Sequence, residues 1–142
     1  MNTLQPSEIA ARLRDWARGS LPTMAGAELL LRGFDGQFAR PSCPWIVTEV
    51  DGRVWVDADA LRDGTGALSG GERRVLALVT ALLGETPVDV VDVVTGLDRI
   101  NLHLVLAALA HAAGSHEHAD VVVGPDGLGH LTRPGPVVPW PT

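Results

Sequence analysis

Apolar positions recur along this chain with two periods, and the changes of period mark its elements. From Pro6 onward, Ile9, Leu13 and Trp16 fall on one side of a helix and Arg14 and Arg18 on the other. Pro6-Ser7-Glu8 supplies the start, with Ser7 as the cap, and Gly19 the stop. A second helix is expected from Pro22-Thr23 through Leu31, ended by Gly33; its Leu29-Leu30-Leu31 run asks for contact on more than one side. The Gly and Pro content of Asp35 to Pro44 reads as a loop. Trp45 to Val50 and Arg53 to Asp57 are then strand-like, rich in Val, Ile and Trp. Asp51-Gly52 between them is a hairpin signal that would pair Val50 with Arg53 and Thr48 with Trp55. Asp57 or Asp59 caps a short helical turn ending at Gly64, and Gly64-Thr65-Gly66 is the expected hinge to the C-terminal stretch.

That stretch, Leu68 to Thr132, carries the strongest pattern. Ser69 and Glu72 fit the capping box S-x-x-E, in which each side chain satisfies the other residue's amide. Val75, Leu78, Val79 and Leu82 then share a face, with Arg73, Ala77 and Thr80 opposite and Gly84 as the stop. Val88 to Val94 is ambiguous: its β-branched residues favour a strand, whereas Thr86-Pro87 and the spacing of Val88, Val91 and Val94 favour a short helix beginning at proline. Thr95-Gly96-Leu97 makes a turn, and Asp98 opens a long helix through Ala113 that Gly114 ends. Val121-Val122-Val123 leads into the turn Gly124-Pro125-Asp126-Gly127. The tail from Arg133 holds Pro134, Pro136, Pro139 and Pro141 and should be extended.

Helix, short helix, turn, long helix and hairpin, with Val-Thr-Gly-Leu-Asp-Arg at the turn, resemble a winged helix-turn-helix over residues 68–132. The resemblance implies that the long helix, Asp98 to Ala113, would enter the major groove with its exposed side. Leu68-Ser69-Gly70-Gly71-Glu72 also resembles the signature loop of ABC-type ATPases, with Asp92 near the Walker B distance and Leu97-Asp98 like the D-loop. That second likeness is set aside. No G-x-x-x-x-G-K-[ST] cradles a phosphate, Val93 stands at the position of the family's catalytic glutamate, and the capping box accounts for the same letters. The fold class expected is α+β: one compact helical domain over residues 1–132 with two β-hairpins and a winged-helix-like C-terminal half, followed by an extended tail.

Charge changes the functional picture. The net charge is −6, all the basic residues are Arg, and residues 68–132 hold three Arg (73, 74, 99) against eight carboxylates. Affinity for nucleic acid starts from cations meeting phosphates, so this balance disfavours it. At 100° per residue, Leu102, Val105, Leu106, Leu109 and Ala113 are the expected inward face of the long helix, with Ile100, Leu104, Ala107, Ala108 and His111 opposite. A helix apolar all round is buried or meets a partner. The expected function is therefore a non-enzymatic adaptor or regulator acting through protein contacts, with a protein partner or as a homodimer. Ile100, Leu104, Ala108, His111 and Trp140 form the expected contact, and no cofactor is expected. The first alternative is a winged-helix DNA-binding regulator using Arg73, Arg74, Arg99, His103 and Arg133. The second is a metal-binding enzyme at His111, His116, His118 and Asp120, where His-x-His follows a helix end.

The remaining residues attract plainer readings. Trp16, Trp45 and Trp55 are expected in the core, Cys43 as a small buried side chain, and His103 and His130 at the surface. Trp140, between Pro139 and Pro141, is expected to fold back on its own domain or on a second copy. A single cysteine, no signal-like N-terminus and no apolar run long enough for a membrane span point to a cytoplasmic protein.

Overall fold

In the computed structural model, which describes residues 4–142, six α-helices enclose the core and four short strands form two separate antiparallel hairpins. The mixed α+β class expected from the pattern is what is found.

Helix α1 (Pro6–Ala17) is capped by Gln5, which forms the capping box with Glu8, and not by Ser7. Pro6 explains the earlier start, because its fixed φ and missing N–H suit the first helical position. Ile9, Leu13 and Ala17 are buried, while Trp16 rotates out to 38% exposure. Helix α2 (Leu21–Arg32) runs from its Ser20 cap to Gly33 and is the hub, packed against α1 and both long C-terminal helices. Its small residues allow that closeness: a Cβ at Gly26 would lie 2.9 Å from Leu83 Cδ2. The expected loop after α2 instead opens with a 3-10 segment, Gly33–Ala39, in which Phe34 and Asp35 take left-handed backbone angles. Phe38 and Trp45 pack together there, and the Trp45 indole donates 2.7 Å to the Phe38 carbonyl.

Strands β1 (Ile46–Thr48) and β2 (Val54–Val56) pair one residue out of the expected register. Val47 faces Trp55 and Thr48 faces Val54. The two-residue turn is replaced by a longer one, closed by the Glu49 amide on the Arg53 carbonyl, with Gly52 at φ +90°. A three-residue loop ending in a left-handed glycine is the next commonest hairpin closure. The slip sends Val50 fully into solvent and puts Val54 and Val56 inside against α1. Helix α3 (Ala58–Gly64) follows, capped by Asp57.

Helix α4 (Gly70–Gly84) begins with the expected Ser69–Glu72 box. It ends one residue late: Glu85, not a glycine, takes the left-handed position at φ 56°. Gly84 is retained for closeness, since a Cβ there would meet Ala58 Cβ at 3.0 Å. Val88–Val94 resolves as helix α5 (Val90–Val94), started by the Asp89 carboxylate on the amides of Val91 and Asp92, not by Pro87. Helix α6 (Arg99–Ala112) starts at the Asp98 cap. Strands β3 (Asp120–Val123) and β4 (Gly129–Thr132) close the regular structure.

The rotation of α6 corrects the sequence expectation. Leu106 and Leu109, assigned inward, are 43% and 42% exposed; Leu104, Ala107 and Ala108, assigned outward, are buried. The cap sets the phase. The Asp98 carboxylate takes both the Asn101 amide and the Asn101 side-chain amide, which turns Asn101 inward. Leu104, Val105 and Ala108 then follow at helical spacing against α2 and α4.

Candidate interaction surfaces

Of the five residues expected to meet a partner, Leu104 and Ala108 are core residues of their own chain, at 6% and 0% exposure. Ile100 alone of the three aligned positions on α6 stands out, at 76%. The outer side of α6 therefore carries Arg99, Ile100, His103, Leu106 and Leu109, an apolar strip with one permanent cation.

The hairpin β3–β4 is the larger feature. Every one of its eight strand residues is exposed, and the strands pack chiefly on each other. Register divides the side chains, because residues paired across an antiparallel ladder share a face. Asp120 and Thr132, and Val122 and His130, lie on one face. Val121 and Leu131, and Val123 and Gly129, lie on the other. The second face is purely apolar, with Val121 at 72%, Val123 at 71% and Leu131 at 68% exposure. Gly129 flattens it: a Cβ there would strike Val121 Cγ1 at 2.9 Å. The turn is built on Asp126, whose Oδ1 takes the Leu128 amide and lies 3.0 Å from His130 Nε2. The His130 ring, then the Leu128 amide, hold the Asp126 carboxyl below its usual range. The turn is thus closed by its own side chains, while the apolar face has no cover among the described residues. The sequence displayed Val121-Val122-Val123 openly, but only the register says which two valines point together.

His111 and Trp140 belong to a second surface, formed within the chain. The rings of His111 and His116 stack at 4.5 Å, and Trp140 lies against His111 at 5.0 Å. The Arg32 guanidinium sits 5.2 Å over the indole, and Arg32 also donates to the Pro141 carbonyl. Trp140 therefore docks on its own domain, the first of the two positions open to it from sequence. Below lies Glu28, held by both Arg14 and Arg32. Burial pushes its carboxyl up, but the two guanidiniums outweigh burial and leave it below the usual range.

The other sequence candidates do not assemble. His118 and Asp120 are exposed, and among the described residues no group of three or more His, Cys, Asp or Glu side chains converges as metal ligands would. Arg73, Arg99, His103 and Arg133 are exposed, while Arg74 lies folded over the turn at Gly96. Cys43 is half-buried with its thiol on the Gln37 carbonyl, and burial raises its pKa, the opposite of an activated nucleophile. One groove was not legible from the sequence. Arg12, Trp16, Glu49, Asp51 and Trp55 line a cleft of about 560 Å³ between α1 and the first hairpin. It exists because Trp16 and Trp55, both expected in the core, stand at its rim; the signal was the hairpin register. Compared with known protein families, curated proteins and solved structures, the chain matches none.

Proposed function

We propose that this protein is a non-enzymatic adaptor that acts through protein contacts, using the apolar face of β3–β4 and associating there with a second copy of itself. One observation carries the reading: Val121, Val123 and Leu131 lie together on one side of a hairpin and are each about 70% exposed. A hairpin of two short strands is marginal in water unless something covers its apolar side. Patches of this kind mark contact sites. The face holds no charged side chain, so it can meet its own copy without like-charge repulsion, in a chain whose net charge of −6 otherwise keeps copies apart. A two-fold contact of this kind is the commonest symmetry of soluble oligomers.

The order α4, α5, α6, β3–β4 supports reading residues 68–132 as winged-helix-like. On that reading the wing, not the groove-reading helix, carries the contact. A chain with one cysteine, half-buried, suits a reducing compartment, and the cytoplasm is the location we propose.

Magnitudes set the expected strength. Burying a whole Val or Leu side chain contributes about 1.5–3 kcal/mol, so the exposed share of each of these residues contributes about 1–2 kcal/mol. Three per copy give roughly 6–12 kcal/mol for a symmetric pair, against an association cost of about 4–15 kcal/mol. The contact is therefore weak, micromolar or weaker. Light scattering over a concentration series should show a dimer forming in the wild type and none in Val121→Glu/Leu131→Glu. Both positions are exposed, so the variant should keep the helical content of the parent. A wild type that stays monomeric at the highest concentration refutes the self-contact.

A further inference from the structure

We infer that the socket under Trp140 is an exchangeable peptide-recognition site for an extended segment carrying an aromatic residue between prolines, and that the chain's own tail is its resident occupant. The inference is independent of the hairpin. Its carrier is the occupant itself, which shows what chemistry the socket accepts.

The socket has an apolar floor and a polar clamp. The indole lies against the His111 ring, itself stacked on His116, and shares with Leu21 and Met24 of α2 the lining of a small void. Arg32 closes it from above, stacked on the ring and bonded to the carbonyl of the following proline at 3.3 Å. This pairs a ring-sized slot with a main-chain anchor next to it, the arrangement by which aromatic-lined grooves read proline-rich peptides. Pro139 and Pro141 suit it because they hold the backbone extended and leave few amides to satisfy.

The hold on the tail is slight. Upstream of the indole, among the described residues, the Val137 amide donates to Ser115 Oγ at 3.2 Å. No strand or helix forms beyond Thr132. A void of about 60 Å³ remains beside the indole, so the ring does not fill its slot. Among the described residues the segment makes two hydrogen bonds to the rest of the domain beside the seat of Trp140, and, tethered through Gly135 at φ +84°, it competes through its local concentration more than through its contacts. An incoming segment of the same chemistry on another protein can displace it.

The test uses a fluorescently labelled synthetic peptide of residues 134–142 and the full chain carrying Trp140→Ala. Anisotropy should show saturable binding to the variant, at least about tenfold tighter than to the wild type, whose socket is occupied in cis. A peptide with Trp140→Ala should not bind, and adding Arg32→Ala to the protein should weaken binding. Failure of the peptide to bind a folded variant, or equal binding to both proteins, overturns the assignment. If the variant does not fold, hydrogen exchange on the wild type decides. The Val137 and Trp140 amides should exchange far faster than those of Leu104 and Val105. Equal protection would make the tail a permanent part of the core and end the proposal.

Discussion

Ile100 and Leu104 lie one turn apart on α6, and the structure gives them opposite fates. Leu104 is 6% exposed and belongs to the main core cluster; Ile100 is 76% exposed. Truncating Leu104 to Ala removes three buried carbons and leaves a cavity between α6 and its neighbours. Such changes cost about 2–5 kcal/mol, and a site pressed by both α2 and α4 should lie near 3 kcal/mol. Ile100→Ala removes atoms that already face water and replaces a β-branched residue by the best helix former. It should lie within about 0.5 kcal/mol of the parent, on either side. For a chain of this size, about 4 °C of Tm accompanies each kcal/mol, so the pair should separate by roughly 10 °C. Urea unfolding followed by circular dichroism, with slopes checked for two-state behaviour, measures both. Small losses at both positions would mean that the helix is rotated as its hydrophobic pattern alone implied, with Ile100 and Leu104 outward together; a larger loss at Ile100 would contradict the buried Leu104 as well, and in either case the placement of the outer strip would fall.

Four further outcomes follow from particular contacts. Glu28 has its carboxyl lowered in the folded state, so its stabilising share is complete above the ordinary glutamate value of about 4.3 and is lost as pH falls through the lower folded value; Glu28→Gln should be less stable at neutral pH and show a flatter acid limb in urea midpoints below about pH 4.3. Ser69→Ala removes the hydroxyl half of the α4 capping box and should cost about 1 kcal/mol in thermal unfolding, with Ser7→Ala close to neutral because Gln5 is the cap of α1. Gly129→Val should disturb β3–β4 locally, since a Cβ there strikes Val121; it should shift hairpin amide resonances without lowering global Tm by more than about 2 °C. Duplex DNA should show no binding at moderate ionic strength, because the outer side of α6 offers Arg99 among Ile100, Leu106 and Leu109; a binding constant that falls steeply with salt would instead support a winged-helix regulator.

Punctuation was easier to read than orientation. Asp57, Ser69 and Asp98 each cap a helix at or near the expected place, because a cap is a local exchange between one side chain and one or two nearby amides. Orientation depends on partners distant in the chain. The phase of α6 could not be taken from its own letters, since Leu and Ala surround it; Asn101 held the clue, as a polar residue drawn inward by its cap. The first hairpin slipped by one residue because Asp-Gly also fits a three-residue loop that ends in a left-handed glycine, and the observed register leaves Trp55 at the rim and not in the core. Gly84 read as a stop but is a packing residue, with Glu85 taking the strained angle beyond it. Of the candidate surfaces, Trp140 was visible as an aromatic in a stiff tail, whereas its seat of Arg32, His111 and His116 joins three segments that only the fold brings together. The exposed hairpin face was hidden for another reason: nothing in Val-Val-Val says that no helix will cover it.

The most direct test of a contact through β3–β4 is amide hydrogen exchange of Val121 to Leu131 at two protein concentrations on either side of the association midpoint. Protection of these amides should rise with concentration while that of Leu104, Val105 and the rest of α6's buried side stays constant. Hairpin protection that is the same at both concentrations, in a protein whose mass also does not change, would contradict the account.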